Sequence, residues 1–213
     1  MKKLSLIIMS LLLCFAAGAE SLIIPEILKG DVVLQQQARA SIWGKATPGA
    51  KVTVATPWNQ CLYELKAGTD SLWKVQIATP DASFTPYDIK ITSGEESYVM
   101  KNVLFGDVWV CGGQSNMEMP LKGMFGCHVD GAAEAVAMAG MNKGLRYVTV
   151  QRNKATESDP GYFTKGSWTE SSPATASDFS ATGFFFGQAL SQALGYPIGL
   201  ISCNWSGSFV EDW

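Results

Sequence analysis

The residues best suited to chemistry lie in one short stretch, Gly112-Gly113-Gln114-Ser115-Asn116-Met117-Glu118-Met119. It follows an apolar run, Asp107–Cys111, that reads as a strand. Two adjacent glycines let the backbone turn tightly and leave open space above the turn. A serine placed just beyond presents its hydroxyl at the carboxyl end of the strand, where open α/β sheets bind their ligands. Backbone N–H groups at the start of a helical turn can face an anionic oxygen. A nucleophile and a pre-placed donor for the tetrahedral oxyanion are the two parts that acyl transfer needs. A second reading stands beside this one. Ser115-x-x-Glu118 has the spacing of a capping box, in which the serine caps a helix and the glutamate reaches back. Local pattern leaves both open.

The elements that must position this turn fall into two rhythms. Between residues 20 and 103 short β-rich runs recur: Val32–Gln35, Ser41–Trp43, Lys51–Ala55, Leu62–Lys66, Trp73–Ile77, Tyr87–Thr92 and Tyr98–Val103. Turn signals such as Thr47-Pro48-Gly49 and Ser93-Gly94 separate them, which predicts an all-β sandwich with Trp43 and Trp73 in its core. From residue 104 to 213 strands alternate with helical segments. Asp107–Cys111, Leu145–Val150 and Ile198–Cys203 read as strands, and Ala132–Ala139 and Phe179–Leu194 as helices. Gly195 is a stop signal for the second helix, with Pro197 just beyond. That alternation predicts an α/β layer fold on a parallel sheet.

Residues 1–19 read as an export signal, with Lys2 and Lys3 ahead of the apolar run Leu4–Ala16 and Ala17-Gly18-Ala19 as cleavage site. The run is shorter than the roughly 20 residues of a spanning helix. The mature chain is therefore expected to begin near Glu20, soluble, in the periplasm or outside the cell. The formal charge of −3 becomes more negative once the two lysines are removed. Such a balance offers no basic footprint for nucleic acid. Cys61, Cys111, Cys127 and Cys203 have no metal-type spacing and are expected to be buried free thiols.

The run GDVWVCGGQSNMEMPL, Gly106–Leu121, resembles the first block of the SGNH/GDSL hydrolases in the form found in their sialate O-acetylesterase branch. DVVLQQQARASIWGKATPGAKVTV, Asp31–Val54, is similar to that branch's N-terminal β-domain. DFSATGFFFGQAL and YPIGLISCNWSGSFVEDW are similar to its continuation beyond the serine. The resemblance implies a three-layer, flavodoxin-like SGNH domain after the sandwich. It also implies a carbohydrate O-acetyl esterase with Ser115 as nucleophile and no metal or organic cofactor. The Ser115 N–H and Gly207, in Asn204-Trp205-Ser206-Gly207-Ser208, would form the oxyanion hole. The family more often has glycine where Ser206 stands. O-acetylated sialic acid or another acetylated glycan is the implied substrate, acetylxylan being the close alternative.

The family's Asp, its His and its third oxyanion donor belong to a part that this sequence does not contain, so the α/β domain is expected to be C-terminally incomplete and inactive alone. One histidine is present, His128, beside Asp130 in a Gly-rich stretch, and it reads as a surface loop residue. A sheet edge and an apolar face are expected to be left uncovered. A different class, a glycan-binding module without catalysis, would use exposed aromatics such as Trp58 or Tyr63.

Overall fold

The computed structural model describes residues 22–152 and 165–209; the expected export signal lies outside them. The chain lays down β1 (Val33–Gln35), β2 (Arg39–Lys45), β3 (Lys51–Thr56), β4 (Cys61–Lys66), β5 (Leu72–Ala78), β6 (Ser83–Ser93) and β7 (Glu96–Gly113). Then come α1 (Ser115–Glu118), α2 (Ala132–Ala137), β8 (Leu145–Thr149), β9 (Thr169–Glu170), α3 (Pro173–Ala176), α4 (Ala181–Leu194) and β10 (Ile198–Asn204).

Most strands join one mixed sheet in the order β4-β3-β6-β7-β10-β8-β9, with β1 also on β7, while β2 and β5 form a separate two-stranded ribbon. In β3 the side chains of Val52, Val54 and Thr56 alternate inward, as period-two burial requires. The ribbon contributes Ile42, Trp73 and Ile77 to the same core as Val52, Ile89, Ile91, Met100 and Phe105 of the large sheet. Trp73 is buried as expected, whereas Trp43 packs against this core only partly buried.

Strand β7 is longer than the sequence pattern predicts. Tyr98–Val103 and Asp107–Cys111, expected as two strands, are one, and the expected division at residues 103/104 falls inside it. Its first part pairs antiparallel with β6 through Phe105, and its last part pairs parallel with β10 from Asp107 to Gly113. The change of partner follows a bulge. Pairing with β6 shifts between Tyr87 and Ile89, and opposite that shift Asn102 sits at φ +56° with its N–H on the Asp88 carboxylate at 3.0 Å. Gly106 then passes flush against Pro197, where a Cβ would lie 1.8 Å from the Pro197 carbonyl oxygen. A side chain there would have broken the strand in two.

Strands β7, β10 and β8 run parallel, so Gly113, Asn204 and Thr149 end on the same side. Helix α4 covers one face through Phe184 and the close approach of Gly187, whose missing Cβ leaves room for Leu200 and Leu145. The helix starts two residues later than expected because Ser180 caps it, its hydroxyl accepting the Gly183 N–H at 3.1 Å. It ends as expected at Gly195, in the left-handed conformation. Between Val150 and about Ser177 the sequence pattern reads as a polar loop; its described part also holds β9 and α3, the latter begun by a capping box between Ser172 and Thr175. Among the described residues, 108–113 of β7 have β10 as their one strand neighbour, and Val110 is 69% exposed. No described helix is long and apolar enough to cross a membrane.

Candidate active site

The three parallel strand ends carry the residues of interest. Gly113 closes β7 at φ +148°, a backbone setting that favours glycine, and a Cβ there would press to 3.3 Å from the Met117 Cβ. The chain then turns through Gln114 into α1. Ser115 is exposed in the first position of that turn, with Gln114 as the capping residue.

The capping-box reading fails on three counts. Gln114, not Ser115, precedes the helix, and it makes no side-chain cap. The Glu118 N–H, which a Ser115 cap would occupy, donates to the Gln114 carbonyl at 2.9 Å. The Glu118 carboxylate leaves its own helix and accepts the Ser206 N–H at 2.6 Å. Among the described residues none hydrogen-bonds the Ser115 hydroxyl, so the oxygen is neither buried nor engaged. The contrast with Ser172 is direct, since there the same kind of box does form and ties up the hydroxyl.

Gly207 lies on the loop that leaves β10, exposed and at φ +78°. Three contacts draw this loop to the serine turn. The Trp205 N–H donates to the Gly113 carbonyl at 3.0 Å, the Ser206 N–H to Glu118, and the Asn204 side-chain amide to the Met117 carbonyl at 3.5 Å. Ser206 has a negative φ, so a serine fits where the resemblance leads one to expect glycine. The segments bearing Ser115 and Gly207 are therefore neighbours in space, although nearly a hundred residues apart in sequence.

Arg152, beyond the end of β8, completes the cluster. Its guanidinium forms an ion pair with Glu118, donates from Nε to the Asn204 carbonyl at 3.2 Å, and lies 5.7 Å from the centre of the Trp205 ring. Burial pushes the Glu118 carboxyl up, but the hydrogen bonds from Ser206 and Arg152, with the Arg152 charge, more than reverse this. The group titrates below the usual carboxylate range. Arg152 is not legible as a site residue in the sequence, because a lone arginine after a strand carries no local signal.

Other expected residues are placed elsewhere. His128 is exposed in the loop before α2, and no described hydrogen bond joins it to the serine turn. Trp58 and Tyr63 do not form a free aromatic platform. The Trp58 ring packs edge-on to Phe105 at 4.7 Å and its N–H donates to the Ala78 carbonyl at 2.9 Å. The Tyr63 hydroxyl accepts the Ala78 N–H at 3.1 Å. The expectation of four buried thiols is corrected too. Cys111 is buried and Cys203 partly so, but Cys61 and Cys127 are exposed: Cys61 begins β4, a strand with no buried residue, and Cys127 closes the surface turn from Met124.

Comparison with known proteins bears on this site. No family model matches the chain. It is 31% identical over 210 residues to the sialate O-acetylesterase of Homo sapiens, covering 87% of this chain and 37% of that protein. With the Mus musculus sialate O-acetylesterase it shares 30% identity over 197 residues, 85% of this chain and 35% of that protein. The chain thus spans a little over a third of the length of these relatives. The crystal structure of a carbohydrate acetylesterase from Xanthomonas citri matches it with a TM-score of 0.80 at 31% identity, over 91% of this chain and 42% of that one. With sequence likeness running through nearly all of it and a matching fold, the chain belongs to the sialate O-acetylesterase family.

Proposed function

We propose that this chain is the nucleophile-bearing part of an exported carbohydrate O-acetylesterase that takes acetyl groups from O-acetylated sialic acid. The Ser115 oxygen attacks the acetyl carbonyl carbon while a base takes its proton. The Ser115 and Gly207 N–H groups receive the negative charge on the carbonyl oxygen. Collapse returns a proton to the departing sugar oxygen and leaves an acetyl-serine. Water then hydrolyses that ester to acetate and restores the hydroxyl. The observation that carries the reading is the exposed, unengaged Ser115 hydroxyl at the end of β7, with the Gly207 loop pinned beside it.

His128 is exposed and no described hydrogen bond joins it to the serine turn, so the base and its carboxylate partner are read as lying outside these 213 residues; serine without a base is a poor nucleophile. The chain alone is accordingly expected to hydrolyse acetyl esters weakly. In a polypeptide of the relatives' length, Ser115→Ala removes release of acetate from O-acetylated sialic acid. Undiminished release in that variant would end the assignment of Ser115. Acetylated neutral glycans such as xylan are the second reading, favoured by the broader description of the Xanthomonas citri neighbour as a carbohydrate acetylesterase. A parallel assay on both substrates separates them. The β-ribbon and the antiparallel part of the large sheet, sharing one core, are read as the appended sandwich. Export is tested by the N-terminus of the secreted product, expected near Glu20.

A further inference from the structure

We infer that Glu118, braced by Arg152, is a positioning residue: it latches the loop 204–208 to the serine turn and so sets the direction of the Gly207 N–H. The inference rests on the reading of Gly207 as an oxyanion donor. Its grounds are geometric. Glu118 is the last residue of α1, three positions after Ser115, and its side chain is 17% exposed. One carboxylate oxygen accepts the Ser206 N–H, the amide just before that of Gly207. The other oxygen holds Arg152, whose Nε reaches back to the carbonyl of Asn204 on the near side of the same loop. The carboxylate and guanidinium thus grip the loop at a donor and at an acceptor two residues apart. The indole of Trp205, between those two points, lies beside the guanidinium.

Each member needs the others. A half-buried carboxylate with one amide donor keeps unsatisfied lone pairs, which Arg152 fills. An arginine presents several donors in a rigid fork, so it can hold the carboxylate and the Asn204 carbonyl together. The Ser206 N–H is directed at a charged acceptor, the stronger kind of hydrogen bond. Gly207 carries no side chain by which the protein could hold it. The peptide group preceding it is the nearest point at which its orientation can be fixed. A small change there swings the Gly207 N–H away from the position that the oxyanion will take, and oxyanion donors act only within normal hydrogen-bond reach.

The test is amide hydrogen exchange at Ser206 and Ser208, whose N–H groups are bonded, together with the amide chemical shift of Gly207, in the intact chain, read by NMR for the wild type and for Glu118→Ala, Glu118→Gln and Ser115→Ala. Loss of one charge-assisted hydrogen bond should raise exchange in the loop roughly tenfold to a hundredfold. Glu118→Ala is expected to show this at Ser206 and Ser208 and to move the Gly207 amide shift, with Gly183 of α4 and its cap Gly195 unchanged. Glu118→Gln keeps an acceptor oxygen for Ser206 and should recover part of the protection, while Ser115→Ala should behave as wild type. Unchanged exchange at Ser208 with an unmoved Gly207 amide shift in Glu118→Ala would overturn the latch, and so would a loss of protection spread evenly through α4. Hydrolysis of 4-nitrophenyl acetate by the same variants in a polypeptide of the relatives' length separates the two claims. Activity untouched by Ser115→Ala refutes the nucleophile and leaves the exchange result to judge the latch. Ser115-dependent activity should fall in kcat with little change in KM in Glu118→Ala, because the donor acts in the transition state. A fall in KM-related binding alone would refute the positioning role.

Discussion

Replacing Arg146 by methionine should loosen the junction between the antiparallel and parallel parts of the sheet. Arg146 stands on β8 with 2% of its surface exposed. One guanidinium nitrogen donates to the Asn102 carbonyl at 2.5 Å and more weakly to that of Val32 at 3.4 Å. The other donates to the Asn102 side-chain oxygen at 3.0 Å and to Glu170 at 2.7 Å. Asn102 is the bulge residue at which β7 exchanges partners, so the arginine holds that bulge open.

Methionine fills much of the same apolar space but leaves the Asn102 oxygens without a donor. Asn102 is half-buried, so each of its acceptors left unpaired costs about 1–2 kcal/mol, the lower part of the range for buried groups. Val32 adds little, because its carbonyl already accepts the Leu104 N–H. Glu170 adds little too. Its side chain is 58% exposed and regains water, so the ion pair is worth at most about 1 kcal/mol. Relief from burying a guanidinium offsets part of the loss. The net expectation is about 2–4 kcal/mol for Arg146→Met and about 1 kcal/mol or less for Glu170→Gln. With a urea slope of about 2–3 kcal/mol per molar, the first lowers the unfolding midpoint by about 1 M. Unfolding followed by circular dichroism and by tryptophan fluorescence measures both. A midpoint for Arg146→Met that matches the wild type, or an equal loss for Glu170→Gln, would refute the account.

Gly106→Ala should lower soluble yield sharply and cost about 3 kcal/mol or more, because its Cβ would meet a backbone oxygen that cannot rotate away; a normal melting temperature would contradict the close approach. Titration of the native chain with a thiol reagent should modify Cys61 and Cys127 quickly and Cys111 only on unfolding, since burial pushes the Cys111 thiol up, with the nearby Cys203 adding to it. Cys111 and Cys203 should form no disulfide under oxidation: Cys111 pairs with Ser202 and Cys203 with Gly112, which puts the two thiols on opposite faces of the sheet. Burial raises the Asp107 carboxyl, but hydrogen bonds from Gln36, Tyr196 and Gln35 outweigh it and hold the group below its ordinary value. Its contribution is therefore complete above the unfolded carboxylate value of about 3.9 and is lost as pH falls through the lower folded one. The melting-temperature gap between wild type and Asp107→Asn should be constant near neutrality and close on acidification; a gap that widens in acid would reverse the sign.

Much of this arrangement could be read before any coordinates. The strand ahead of Gly112-Gly113, the serine beyond it, the stop of α4 at Gly195 and most of the β-runs follow from spacing and turn chemistry. These are local properties, because a residue's face and a turn's conformation depend on its nearest neighbours along the chain. The kinship with sialate O-acetylesterases was legible for the same reason, carried by contiguous runs of residues.

Partnership across the fold was not legible. Nothing in Ser115-x-x-Glu118 tells whether the glutamate returns to its own helix or crosses to Ser206, and the capping box and the latch have identical spelling. Gly106 looks like a break between strands until Pro197 lies against it. Trp58 and Tyr63 look like free aromatics until Ala78 takes both. Each outcome depends on which strands become neighbours, and β7 beside β10 is a long-range choice settled by packing. Composition and periodicity describe a chain against its own backbone; the serine's freedom, and what surrounds it, arise only when distant strand ends meet.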